Sequence, residues 1–336
     1  MKKIYNRSKF FLQYQLTNQL KKGEMGMEGH HHISMLTKNG KKNNHFYQNV
    51  LGLRRVKKTV NQDDPSMYHL FYGDEIGSPG LDLTFFEMPV AGRTMRGTNA
   101  ITKIGLLVPS YESLQYWKVR FENLNVKHSE MTTYMGQDAL FFEDHEDLRL
   151  VLLNNNGARI PETWQPVTSS EVPAEHQIFA LGTIEITVRY LNQTVNLLKD
   201  VFCFTVVEKE NTFVRLQSVK GERTSEIVVK ELDAPKERHG RGSIHHLALR
   251  VADQAELEMW NEKLIDYGLH TSGVIDRFYF KSLYVRDKNG ILFELATDGP
   301  GFTADSTVEE LGQKLDLPPF LEDEREMIEA KLEQLD

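Results

Sequence analysis

Cys203 is the only thiol in this 336-residue chain. An intrachain disulfide is therefore excluded, as is a metal cluster held by cysteines, and such sparing use of cysteine fits a reducing cytoplasm. No run approaches the roughly 20 apolar residues that cross a bilayer as a helix, so no membrane association is expected. Phe10-Phe11-Leu12 is also too short for the apolar core of a secretion signal. Lys and Arg number 40 against 48 Asp and Glu, a formal net charge of -8. Without a basic stretch interleaved with aromatics, a nucleic-acid partner is not expected. Gly77-Ser78-Pro79-Gly80 lacks the following helix and Lys of a phosphate loop and reads as a turn. No Ser-His-Asp arrangement stands out.

The chain does hold ample apolar material, 40% hydrophobic residues with 26% charged, enough for two domains of ordinary size. It also repeats itself. His45-Phe46-Tyr47-Gln48-Asn49-Val50-Leu51-Gly52-Leu53 has a counterpart 151 residues on, in Asn196-Leu197-Leu198-Lys199-Asp200-Val201-Phe202-Cys203-Phe204. Leu114-Gln115-Tyr116-Trp117 has one 143 residues on, in Leu257-Glu258-Met259-Trp260. Each copy reads as a strand, an amphipathic helix and further strands separated by turns such as Asp287-Lys288-Asn289-Gly290. Four βαβββ modules are predicted, at about 29–90, 98–155, 177–233 and 243–298. The predicted division is an N-terminal extension 1–27, modules one and two in 28–155, a Pro-containing linker 156–176, modules three and four in 177–300, and a helical tail 301–336. Within the tail, Leu311 to Leu315 and Glu322 to Leu335 read as helical.

Four such modules in a row resemble the vicinal oxygen chelate superfamily of glyoxalases, extradiol dioxygenases and bleomycin-resistance proteins. The resemblance implies an α+β fold in which pairs of modules form half-open mixed-sheet barrels with a metal inside. Two paired-histidine segments, His30-His31-His32-Ile33 and His245-His246-Leu247, and the strand Leu292-Phe293-Glu294-Leu295 then become candidate ligand carriers. Adding 151 to His32 reaches Thr183; subtracting 143 from His246 and Glu294 reaches Lys103 and Val151. Only a pairing of module one with module four collects His32, His246 and Glu294, leaving modules two and three as a metal-free partner. The superfamily places the ligand just before the aliphatic residue, which selects His32 over His31 and His246 over His245. His31 and His245 are expected behind the ligands or near the rim, orienting ligands or substrate.

Val50-Leu51-Gly52-Leu53-Arg54-Arg55, Tyr68-His69-Leu70-Phe71-Tyr72-Gly73-Asp74, Asp276-Arg277-Phe278-Tyr279-Phe280 and Phe293-Glu294-Leu295-Ala296-Thr297-Asp298-Gly299-Pro300-Gly301-Phe302 are similar to the branch that cleaves hydroquinone rings. Ser34 stands where that branch usually has Thr. The resemblance implies Fe(II), with Mn(II) or another divalent metal as alternatives, held by His32, His246 and Glu294. It also implies Arg277 and Tyr284 in contact with substrate, and a small aromatic diol and O2 as reactants. Two neutral imidazoles and one carboxylate with open positions are what such chemistry needs. A salt bridge for Arg277 and a plain strand position for Tyr284 are the competing readings. His69, His128, His145, His176, His239 and His270 are expected to be structural or exposed. A glyoxalase-type lyase or isomerase and a non-catalytic small-molecule binding protein are the alternative functions; a homodimer is the expected assembly.

Overall fold

A computed structural model describes residues 26–219 and 221–335. Residues 1–25 of the expected extension lie outside the described residues. Met27 belongs to the core, and the Glu28 amide donates to the Arg250 carbonyl (3.3 Å).

Module one runs β1 (His30–Thr37), α1 (Gly40–Asn44, continued by a π-helical turn His45–Val50), β2 (Arg54–Asn61), β3 (Asp64–Gly73) and β4 (Asp82–Glu87). Module two has β5 (Ala100–Val108), α2 (Tyr111–Asn123), β6 (Thr132–Tyr134), β7 (Gln137–Glu143) and β8 (Arg149–Asn154). Module three has β9 (Ala180–Val188), α3 (Leu191–Asn196, with a π-helical turn Leu197–Val201), β10 (Thr205–Lys209), β11 (Phe213–Gln217) and β12 (Glu226–Glu231). Module four has β13 (Ser243–Val251), α4 (Gln254–Asp266), β14 (Thr271–Asp276), β15 (Lys281–Arg286) and β16 (Leu292–Thr297).

The repeated helix segments fold as they do for stated local reasons. Ser110 and Asp253 cap α2 and α4, each accepting from the amide three residues on (3.3 and 2.9 Å). Glu256 Oε2 in turn accepts from the amide of Ala252, the residue before the cap (2.7 Å). Leu114 and Trp117 on α2, and Leu257 and Trp260 on α4, are fully buried. Burial of each such side chain contributes on the order of 2–3 kcal/mol.

The strands form two eight-stranded mixed sheets, each a half-barrel. One has the order β14-β15-β16-β13-β1-β4-β3-β2, so modules four and one share it. The other, β10-β11-β12-β9-β5-β8-β7-β6, belongs to modules three and two. In both, the joint is antiparallel between first strands: β1 with β13, β5 with β9. The chain crosses between sheets twice, and the two crossings bridge each other at Met95–Arg238 and Thr98–Lys236.

The tail wraps the outer edge of the first sheet. Lys57, fully buried, holds Asp305 (2.8 Å) and Asp316 (2.9 Å), and Val60 packs with Leu317, Leu321 and Ile328. Among the described residues, helix in the tail is limited to two 3-10 segments, Phe302–Ala304 and Pro319–Glu324, and the short α-helix Arg325–Glu329. Leu311 to Leu315 runs as turns instead, because this stretch follows the β2 surface, with Arg55 Nε donating to the Gly312 carbonyl (2.9 Å). No described helix is long and apolar enough to cross a membrane.

Candidate metal centre

His32, His246 and Glu294 meet inside the first half-barrel, although 214 residues separate the two histidines. The Nε2 atoms are 3.3 Å apart. Glu294 Oε2 lies 3.2 Å from His32 Nε2 and 2.9 Å from His246 Nε2. Bonds from a divalent metal to nitrogen or oxygen run about 2.0–2.2 Å, which puts neighbours on one octahedral face about 3 Å apart. The three atoms therefore have the spacing of a facial ligand set. Glu294 Oε2 is buried with no hydrogen-bond donor among the described residues, whereas Oε1 accepts from Ser282 Oγ (2.5 Å). One carboxylate oxygen is thus anchored and the other is left for a cation.

Two β-bulges aim these side chains. Between His30 and Ile33, β1 has one residue more than β13; between His246 and Ile244, β13 has one more than β1. A bulge rotates neighbouring side chains out of strict alternation. His31 consequently lies buried behind His32 rather than at the rim, with the two Nδ1 atoms 2.9 Å apart. His245, half-buried, stands in the same relation to His246, at 2.8 Å.

The first pair fixes a proton assignment. His31 Nε2 is 3.2 Å from the Thr297 carbonyl, which can only accept. Burial, reinforced by His32, lowers the His31 pKa to about 3, so the ring is neutral. Its Nδ1 must then accept from His32 Nδ1–H, which leaves Nε2 as the His32 atom that faces the site. Glu294 is a carboxylate: burial pushes its pKa up, but the His32 and His246 imidazoles outweigh that and hold it well below the ordinary range.

The cavity over the triad, about 50 Å³, is lined by polar and aromatic groups from modules one and four. Arg277 reaches it, bound to Asp63 through two contacts (3.1 and 2.9 Å), with its guanidinium 5.5 Å above the Tyr284 ring. Tyr284 lies opposite Glu294 in the β15–β16 ladder and meets the His246 ring edge-on at 5.8 Å. Burial raises its phenol pKa, so it is protonated at neutral pH. Phe280 packs on His32 (5.2 Å) and Phe86 near His246 (6.5 Å), giving the cavity aromatic walls.

His69 was expected to be structural or exposed; it lines this cavity. The sequence signal was the inward parity of His69 and Phe71 on β3, but parity cannot be carried across the intervening loops without the register. Elsewhere His128 bonds the Val126 carbonyl and His176 bonds Ser113, structural contacts both. A larger cavity, about 300 Å³, lies beside Trp164 and Phe179 and contains none of the triad. The ligand set, not cavity size, marks the candidate centre.

Comparison with known proteins agrees with the fold. The family model described as Glyoxalase/Bleomycin resistance protein/Dioxygenase superfamily matches residues 180–295. A Bacillus subtilis (strain 168) protein named "Putative ring-cleaving dioxygenase MhqA" is 47% identical over 93% of this chain and 100% of its own length. The "Chlorohydroquinone/hydroquinone 1,2-dioxygenase" of Sphingobium indicum (strain DSM 16413 / CCM 7287 / MTCC 6362 / UT26 / NBRC 101211 / UT26S) is 29% identical over 88% of this chain and 93% of its own. A solved structure of a "putative dioxygenase from Bacillus subtilis subsp. subtilis str. 168" superposes with a TM-score of 0.86 at 33% identity, covering 93% of this chain and 98% of that one. The chain belongs to the glyoxalase/bleomycin resistance/dioxygenase superfamily.

Proposed function

We propose that this protein is a metal-dependent dioxygenase that opens the ring of a hydroquinone- or catechol-type diol, with Fe(II) held by His32, His246 and Glu294. The observation that carries the reading is the 2.9–3.3 Å spacing of three ligand atoms on one face, with the cavity on the other side. Bound there, Fe(II) would bring the aromatic diol and O2 into adjacent positions and conduct electrons between them. The names of the relatives support ring cleavage, the Sphingobium enzyme's name in particular.

The chain's own residues supply the rest. Phe280 and Phe86 flank the space for the ring and exclude water. Arg277, fixed by Asp63, presents positive charge to oxygens that become anionic as the ring opens. Tyr284 keeps its proton at neutral pH and can donate it beside Glu294. His31 and His245 hold the ligand rings in orientation.

A glyoxalase-type reading calls for a second carboxylate on the metal. The position in module one that corresponds to Glu294 is Thr84: Ser34 pairs with Thr84 as Ala248 pairs with Glu294, and Phe71 faces Thr84 as Tyr284 faces Glu294. A neutral hydroxyl there argues for three protein ligands. The test is anaerobic reconstitution with Fe(II), or with Mn(II) for comparison, followed by oxygen uptake with methylhydroquinone, chlorohydroquinone and catechol. Uptake with a diol that disappears in His246→Ala is the expected result. Bound metal with no uptake from any diol would overturn ring cleavage. Tyr284→Phe should lower kcat by about 100-fold or more.

A further inference from the structure

The two modules of the first sheet are related position by position, and they differ at the metal. His32 and His246 correspond, and Thr84 corresponds to Glu294. One strand further out, His69 faces Phe86 as Ser282 faces Ala296, so His69 is the counterpart of Ser282. In module four, Ser282 donates to the Glu294 ligand (2.5 Å). In module one, His69 Nε2 bonds Thr84 Oγ1 (3.1 Å), which in turn bonds Ser34 Oγ (2.6 Å).

This second relay ends in the cavity, not on the metal. Ser34 and Thr84 are fully buried, while His69 is half-buried and lines the space above the triad. Its ring is packed between Phe86 and Phe71, both at 4.1 Å, so its orientation is set. The other ring nitrogen has no hydrogen-bond partner among the described residues. From β1, which carries His32, to β3 is two interstrand steps, about 10 Å backbone to backbone. A diol with one oxygen at the triad would direct an oxygen across the ring toward His69. A diol with adjacent oxygens would keep both at the metal.

We propose that His69, positioned by Thr84 and Ser34, is the specificity-determining residue that hydrogen-bonds the substrate hydroxyl not held by the metal, and that it tunes the site to 1,4-diols over 1,2-diols. The inference rests on the ring-cleavage reading of the same site.

The test separates the two. The protein is loaded with Zn(II), which is redox-inert, and titrated calorimetrically with hydroquinone, catechol and phenol. Wild type is expected to bind hydroquinone more tightly than phenol, the difference being the 4-hydroxyl. His69→Leu should weaken hydroquinone by about 10-fold and phenol by no more than about two-fold, since one hydrogen bond is lost. His69→Gln should recover part of the loss, and Thr84→Val, which frees the imidazole, should show a smaller loss in the same direction. Equal losses for hydroquinone and phenol, no loss at all, or no hydroquinone binding by wild type would each overturn the proposal. If the fold fails in His69→Leu, the Gln and Val variants decide. A persistent hydroquinone–phenol difference without oxygen uptake from any diol in the Fe(II) protein would remove ring cleavage and leave His69 as the reader of the second hydroxyl.

Discussion

The two half-barrels share a backbone plan and solve the problem of a polar interior in opposite ways. Both carry the same pair of bulges at the joint: β5 has an extra residue at Thr102, where β13 has His245, and β9 has one near Gly182, where β1 has His31. The bulges therefore belong to the framework shared by both barrels and not to the ligand set alone. In the first barrel the re-aimed positions carry His32, His246 and Glu294, a ligand set that needs a cation from outside. In the second they carry Thr183, Lys103 and Val151, and the cation is built in. Lys103 Nζ lies 3.2 Å and Lys230 Nζ 2.6 Å from Glu185, which stands where the first barrel has Ser34, and Tyr134 donates to the same carboxylate (2.7 Å). Thr183 donates to Glu226 (2.6 Å), itself paired with Arg215 at 3.2 Å. One interior is satisfied by its own side chains; the other presents a carboxylate and two imidazoles. The lesson is that an inherited cavity must still neutralise its charges, with lysine where metal is given up.

The comparison breaks most visibly if one barrel is given the other's residue. Glu294→Val copies Val151 and should reduce oxygen uptake to background and abolish metal retention. Near-UV circular dichroism should still report a folded protein, because the matching framework already accommodates valine. Loss of the fold would show that the barrels are not equivalent scaffolds.

Next in size, Lys103→Met should cost about 3 kcal/mol in urea unfolding, because a buried carboxylate loses one of its cations. The folded fraction should keep its diol-dependent oxygen uptake. The same carboxylate sets an acid limb. Burial works to raise the Glu185 pKa, but Lys103, Lys230 and Tyr134 prevail and lower it from 4.5 to about 2. A lowered folded-state value means the stabilisation is complete above about pH 4.5 and is lost as the pH falls toward 2. It amounts to roughly 3 kcal/mol at neutral pH, measurable as the difference in acid unfolding between wild type and Glu185→Gln.

The smallest expected effect sharpens the metal side. His31→Gln should weaken metal affinity by about 10–100-fold, as for other residues that orient a ligand. Glutamine cannot relay between the Thr297 carbonyl and His32 with the same geometry. An unchanged affinity would mean that packing alone fixes the His32 ring.

Much of this was legible in the chain because repetition supplies its own alignment. The offsets of 151 and 143 named Thr183, Lys103 and Val151 as substitutes, which pointed to a shared sheet for modules one and four. What they could not give was anything set by register across strands. His69 became visible only when β3 was seen to place it opposite Phe86, and Thr84 only through its ladder with Ser34. Strict alternation likewise left His31 open between the rim and a place behind His32, because the bulge after His30 leaves no mark in the sequence. Arg277 reads as a substrate contact from its neighbours, but its partner Asp63 lies 214 residues away. Ion pairs of that separation are chosen by the fold.

The nesting of one sheet inside the other also orders events in time. Modules two and three are continuous in the chain, whereas the metal-carrying sheet is split, its two halves enclosing them. During synthesis the inner barrel can form from contiguous residues while β1 waits with an unpaired edge. Glu294 is supplied within the last strand of the last module, so the ribosome must have delivered all four modules before any ion meets three ligands at once. The nascent protein thereby has no complete site to fill with a wrong metal until the fourth module is made, and loading follows the assembly of the sheet.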